Sequence, residues 1–256
     1  MHSNRFLRDI DIKYGPAELL ARFFFKAVSV AGDRGVELEL VSFEELMQIN
    51  AAHQDSWFPM TTSFRPDIGG ISELNGAAFI GRNRGEPVAA YVVKFLDWSA
   101  TNFKAEAESL RFFYADPHRD SNPGERCNVN APNAAELSGL LAHVGGAWFR
   151  PDYRGVGLAE IIPRLGRAYS LARWGIDASF GVIMSHHLDT GLDRRLGYKQ
   201  DCIASGTKLW NHPVRPDDWI HLILAWMKRD DLVDDLFQFI MEFDTQIDVR
   251  VRQSGR

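Results

Sequence analysis

Scarcity defines much of this 256-residue chain. Its two cysteines, Cys127 and Cys202, are too few for a disulfide framework and match no metal-binding spacing. A reducing compartment, the cytoplasm, is expected. No run approaches 18 uninterrupted apolar residues, and the N-terminus lacks the apolar segment and cleavage site of a signal peptide, so neither membrane association nor secretion is expected. Positive charge is not in excess. The 29 Lys and Arg against 34 Asp and Glu leave a net charge of −5, which gives no reason to expect nucleic-acid binding. Internal repeats and low-complexity blocks are missing as well. What remains, 45% hydrophobic and 25% charged, is enough to bury a substantial core.

Against that background one stretch carries chemistry. Residues 144–160, VGGAWFRPDYRGVGLAE, run from an apolar segment into a glycine-punctuated turn and then into a helical pattern. Strand, anion-binding loop and helix are the expected order. Gly155 and Gly157 lack a Cβ, so the chain can adopt left-handed conformations and let a ligand lie against main-chain N–H groups. The first N–H groups of the following helix have no intrahelical partner, and with the helix dipole they favour phosphate. Arg154 adds a permanent charge with several donors. The bland alternative is a strand-to-helix turn that merely needs glycine.

Spacing separates the phosphate loops that this segment might be. A dinucleotide fingerprint needs a third glycine where Glu160 stands, and a nucleoside-triphosphate loop needs Gly-Lys followed by Ser or Thr, a triplet the chain does not contain. Downstream, Glu160 to Trp174 carries Ile161, Ile162, Leu165, Ala168, Tyr169, Leu171 and Ala172 at helical spacing, with Arg164, Arg167 and Arg173 on the expected exposed face. Gly175 is a suitable stop. Ala178 to Met184 then reads as a buried strand, parallel to the one before the loop.

Arg154-x-x-Gly157-x-Ala159, followed at the appropriate separation by Leu196-Gly197-Tyr198, resembles the acyl-CoA loop and the Leu-Gly-Phe ending of the GCN5-related N-acetyltransferases. The resemblance is specific over roughly residues 136 to 200. Upstream the order also agrees. Val36 to Val41 alternates as a strand; Ser42 with Glu44 and Glu45 suits a helix start; Ala77 to Ile80, the Asn83-Arg84-Gly85 turn and Pro87 to Phe95 read as a hairpin.

The resemblance implies an α/β fold with a central mixed twisted sheet flanked by helices. It implies acetyl-CoA or another acyl-CoA as co-substrate, no metal, and direct attack of a primary amine on the thioester. The acceptor would be a small-molecule or peptide amine. By the resemblance, Ala147, Trp148 and Phe149 lie along the pantetheine arm, and Arg154, Gly155, Val156, Gly157, Leu158 and Ala159 grip the pyrophosphate. His143 falls where some members carry a glutamate base; histidine titrates near neutral pH, although such a residue is also common as hydrogen-bonded structure. Glu106 and Glu108 are rival bases. The family's tyrosine acid is replaced by Asp193, which is ionised at neutral pH and would repel a thiolate, and a helix-capping asparagine by His186. Tyr198 and Tyr169 sit where core aromatics would. A metal at His186, His187 and Asp189 is set aside, since adjacent histidines diverge and no fourth ligand stands at suitable spacing. The alternative from another class is a catalytically silent acyl-CoA sensor or interaction module.

Three parts exceed a minimal domain of this kind, giving expected units of 1–35, 36–212 with an insertion at 97–135, and 213–256. The first contains an apolar helix over Ala17 to Val30 with Phe23, Phe24 and Phe25. The insertion has an aromatic helix candidate around Phe103 to Tyr114 and a polar loop through Pro132. The last holds Trp219, Ile220, Leu222, Ile223, Leu224, Trp226, Leu232, Leu236, Phe237, Ile240 and Phe243, read as one or two helices broken at Lys228-Arg-Asp-Asp. Those helices either pack on their own domain or form a homodimer interface.

Overall fold

Turn chemistry and alternation set the first half of the sheet. A computed structural model describes the backbone of residues 5–185 and 196–254; for residues 5 and 244–254 it describes the backbone alone. A short helix α1 (Arg5–Arg8) and a long one, α2 (Ala17–Gly32), lead into β1 (Glu37–Val41). Ser42 caps α3 (Phe43–Ala52), its hydroxyl accepting from the Glu45 N–H at 3.1 Å. β2 (Gly76–Asn83) and β3 (Glu86–Trp98) form the expected hairpin, with both Arg84 and Gly85 at positive φ.

The inserted segment contributes α4 (Phe103–Glu108), α5 (Pro117–Asp120) and β4 (Arg126–Val129). β5 (Gly139–Phe149), α6 (Leu158–Trp174) and β6 (Ala178–Met184) follow, and Gly175 ends α6 in the left-handed conformation at φ 61°. The chain closes with β7 (Ile203–His212), β8 (Arg215–Lys228) and α7 (Arg229–Ser254). Among the described residues the strands form one eight-stranded sheet in the order β1-β2-β3-β5-β6-β8-β7-β4. Only β5 and β6 run parallel within it. Strand, helix, hairpin and loop unit thus occur in the order that the acetyltransferase resemblance implied.

One face of the sheet is covered by α2, α6 and α7, which share a core containing Phe23, Leu165 and Leu236. The other carries two clusters. Phe43, Leu46 and Trp57 cover β2 and β3, while Phe103, Phe112 and Phe113 of the insertion cover the half nearer β4. The insertion therefore supplies both an edge strand and a lid of aromatic side chains for that half.

Three expectations are corrected. The stretch read as helix from Trp219 to Trp226 is strand β8, lying between β6 and β7 with both faces covered. A strand buried on both faces loses its alternation, and a continuous apolar run does not betray its period. Only the second half of the expected C-terminal helical unit is helix. Within α7, Leu232, Leu236, Phe239 and Ile240 are buried in the chain's own core, while Phe237 and Met241 stay exposed. The Lys228-Arg-Asp-Asp break is a strand-to-helix junction: Arg229 donates to the carbonyls of Ile176 and Gly175 and pairs with Asp177. Finally, Arg167 is not on an exposed face of α6. It is fully buried, donating to Leu196 O at 2.7 Å and to Asp235 Oδ2 at 3.3 Å. Asp235 also takes a two-pronged pair from Arg164, so one carboxylate on α7 holds two guanidinium groups on α6.

Candidate functional site

Strand β5 departs from regular pairing on both of its sides. Towards β3, Ala90 pairs with Trp148 and Val92 with Gly145, so Gly146 and Ala147 together oppose Tyr91. This is a β-bulge, and Gly146 enters it at φ 58°, with a Cβ there only 2.9 Å from Val92 Cγ2. Towards β6 the register holds for three pairs, Leu141 with Ala178, Ala142 with Ser179 and His143 with Phe180, and then ends. From Val144 to Phe149 the β6-facing edge of β5 has no register partner on β6. The parallel ladder to β6 thus stops after His143, and Ala147, farther along β5, is exposed.

At the far end of β5 the chain makes a single 3-10 turn, Pro151–Tyr153, braced by a two-pronged ion pair between Arg150 and Asp152. Gly155 at φ 81° and Gly157 at φ 83° then turn it into α6. Both angles lie where a Cβ is strained, which is why glycine stands at each. Among the described residues no side chain caps α6; the Glu160 N–H donates to Gly157 O at 3.3 Å, and those of Leu158 and Ala159 stand ahead of it at the loop. Val156 is exposed, Gly157 and Ala159 are half-buried, and Leu158 anchors the helix in the core. A row of main-chain donors with a helix dipole behind them is suited to an anion.

Arg154 does not lie over this loop. Its Nε donates to Phe149 O at 3.1 Å and its Nη2 to Ser56 O at 3.4 Å, back at the end of β5. The cation that does touch the loop is Arg34, from the turn between α2 and β1, whose Nε donates to Val156 O at 2.6 Å. Sequence reasoning missed it. Arg34 is remote in the chain and belongs to no motif, so no local signal marked it. The Trp148 indole stacks on Trp57 at 5.1 Å and donates to Ser56 Oγ at 3.2 Å. With that side chain consumed by packing, Trp148 offers a ligand only its backbone.

At the last register pair between β5 and β6 lies His143, with 4% of its surface exposed. Its ring is stacked between Phe64 at 4.3 Å and Phe180 at 5.2 Å. Nε2 stands 3.5 Å from Ser63 Oγ, and Nδ1 has no partner among the described residues. Burial, with the Lys94 ammonium adding to it, holds its pKa well below the ordinary histidine value, so the imidazole is neutral. Lys94 is its cross-strand partner, itself buried, donating to Gly69 O at 2.6 Å, and burial brings its pKa down to about 8. The sequence did carry a sign of it: a lone lysine within the apolar run Tyr91 to Leu96.

A second buried polar group lies alongside. Thr62, next to Ser63, stands 3.3 Å from His212 Nε2, and Tyr114 donates to both oxygens of Glu125 at 2.9 Å. The rival bases serve other ends. Glu106 accepts from Arg111 and Thr101, the Arg111 bond holding its pKa low. Glu108 accepts from the Val129 N–H and fastens β4. Tyr169 is buried and bonded to Arg173, while Tyr198 is buried under Arg167, and burial pushes both phenols up. His186, His187, Asp189 and Asp193 lie outside the described residues.

Fold and site together define a mixed-sheet α/β protein whose parallel ladder stops short beside a bulge, with a glycine-built loop at the far end of β5 and a buried histidine and lysine where the ladder ends. No family profile matches the chain, and no curated protein matches it. Among solved structures it is similar to Mycobacterium smegmatis RimJ in complex with CoA-disulfide, at 12% identity over 79% of this chain and 88% of that one, with a TM-score of 0.44. It is also similar to the SpeG spermidine N-acetyltransferase from Vibrio cholerae, at 9% identity over 78% of this chain and 97% of that one, also with a TM-score of 0.44.

Proposed function

We propose that the protein is an acyl-CoA-dependent N-acetyltransferase. The pyrophosphate of acetyl-CoA would be taken by the loop from Arg154 to Ala159, and the thioester arm by the opening beside Ala147, Trp148 and Phe149. The observation that carries this reading is the alignment of three features along β5: a glycine-built loop at its end, an edge without register partners on β6, and His143 with its cross-strand partner Lys94 where that edge begins. Six residues separate His143 from Phe149, about 20 Å at about 3.3 Å per residue. An extended pantetheine arm has a reach of that order.

Bound acetyl-CoA would supply an activated acetyl group, and the chain's own groups would do the rest. A main-chain N–H within Ala147 to Phe149 would polarise the carbonyl. The acceptor, a primary amine on a small molecule or peptide, would approach from the side of His143. That neutral imidazole, covered on both ring faces, would take up, through Ser63, the proton the amine loses. Nitrogen–carbon bond formation and carbon–sulfur cleavage would then leave a thiolate that takes its proton from solvent.

Isothermal titration with acetyl-CoA and thiol release across a panel of primary amines test the proposal. Binding in the micromolar range with release for at least one amine is expected. No binding near millimolar acetyl-CoA would refute it; binding without turnover on any amine would refute the catalytic half alone.

A further inference from the structure

The loop that reads as a phosphate site is held by a part of the chain far from it. Arg34 stands in the turn after α2, in the segment expected to be a mere helical extension. Its Nη1 donates to Val30 O, at the end of α2, at 2.7 Å, and its Nε to Val156 O at 2.6 Å. Nη2 lies 3.0 Å from where a Cβ on Gly157 would project, and the Phe243 ring of α7 lies 5.8 Å from Cζ. The guanidinium is thus fixed by its own helix, by an aromatic ring and by the loop. A planar fork with several donors suits such a bridge, and a lysine would not reproduce it.

Two physical consequences follow for the loop. In a planar trans peptide the C=O and N–H point in opposite directions. Because Arg34 draws the Val156 carbonyl to itself, the Gly157 N–H is turned to the opposite side, away from the guanidinium. A carbonyl that swung to the ligand side would repel an anion; here it is tethered. The same guanidinium also keeps a permanent positive charge against a loop whose own arginine, Arg154, is committed elsewhere.

We propose that Arg34 is the positioning residue of this loop, fixing the Val156–Gly157 peptide for a pyrophosphate and supplying the adjoining charge. This rests on the acyl-CoA reading above and assigns the N-terminal segment a part in ligand binding. The ligand chemistry is that of a diphosphate ester; the thioester end of the molecule lies beyond the reach of Arg34.

The test separates the phosphate end from the thioester end. Wild type and Arg34→Ala are titrated with acetyl-CoA, and their steady-state rates are compared with acetyl-CoA and with S-acetylpantetheine, which lacks the phosphates. Expected are a loss of acetyl-CoA affinity of about tenfold or more, a KM for acetyl-CoA raised with kcat kept, and unchanged kcat/KM for S-acetylpantetheine. Affinity within twofold of wild type would overturn the inference while leaving the proposed function standing. Equal losses with both acyl donors would also overturn it, showing a structural role only. If wild type itself binds no acetyl-CoA, the reading beneath it fails and the inference with it. Where Arg34→Ala does not fold, Arg34→Lys carries the same comparison, since it keeps the charge and loses the fork.

Discussion

Acidification should unfold this protein in part through a single ring, that of His212. The Val214 N–H donates to its Nδ1 at 3.2 Å, and Nε2 stands 3.3 Å from Thr62 Oγ1. The neutral ring therefore carries its proton on Nε2 and presents a lone pair at Nδ1. Protonating Nδ1 would set one N–H against another and place a charge in a site that is only 4% exposed. Burial accordingly brings the pKa from 6.5 down to about 4. Between those values the unfolded chain takes up a proton that the folded chain refuses, so stability falls as pH falls. At about 1.4 kcal/mol per pH unit, the interval amounts to about 3 kcal/mol, absent above pH 6.5 and fully developed by pH 4. That is a large share of the roughly 5 to 15 kcal/mol that holds a domain together. His143 acts in the same direction, whereas Glu125, whose pKa is raised by burial, acts in the opposite one. A difference measurement isolates His212. Urea unfolding of wild type and His212→Gln at pH 7, 6, 5 and 4 should show the wild type's advantage shrinking by about 3 kcal/mol across the series. An advantage that stays constant would refute the argument.

Two further outcomes are expected. Asp235→Ala removes the carboxylate shared by Arg164 and the fully buried Arg167, whose Nε and Nη1 already lack partners among the described residues; breaking such a pair costs about 3 kcal/mol, so thermal unfolding should occur roughly 6 to 12 °C lower, and a shift under 2 °C would count against the clamp. Lys94→Met removes the cation that, after burial, holds down the pKa of His143, so ring NMR titration should find that pKa higher than in wild type; an unmoved pKa would show that burial acts alone.

The sequence was legible where local rules decide the outcome. Gly157 and Gly175 bound α6 because only glycine takes left-handed angles cheaply, and Ser42 caps α3 through its own hydroxyl. Alternation and a turn dipeptide were enough for β1 and the β2–β3 hairpin. Long-range packing was not legible. β8 lies between two strands with both faces buried, so Trp219 to Trp226 shows no polar face by which to recognise its period. Arg167 is charged and at helical spacing looks exposed, yet Asp235 reaches it from a helix some seventy positions on in the chain. For the candidate site, the glycines and the strand before them were readable, because a phosphate loop is local. Ser63 and Arg34 were not, since each comes to the site from a different element and nothing near it in sequence declares the destination; Lys94 stands out as a lone lysine in an apolar run, but that run does not say what it faces.

Phe23 of α2 meets Phe239 of α7 edge to face, with ring centroids 5.3 Å apart. The contact joins residues more than two hundred positions apart, so this half of the interior closes only when α2 and α7 have come together. Until then α2, with Phe23 and Phe24, is apolar surface awaiting a partner made much later. Such long-range closure slows folding and lengthens the time at risk of association. The cover of α2 during folding therefore depends on a helix far from it in the chain.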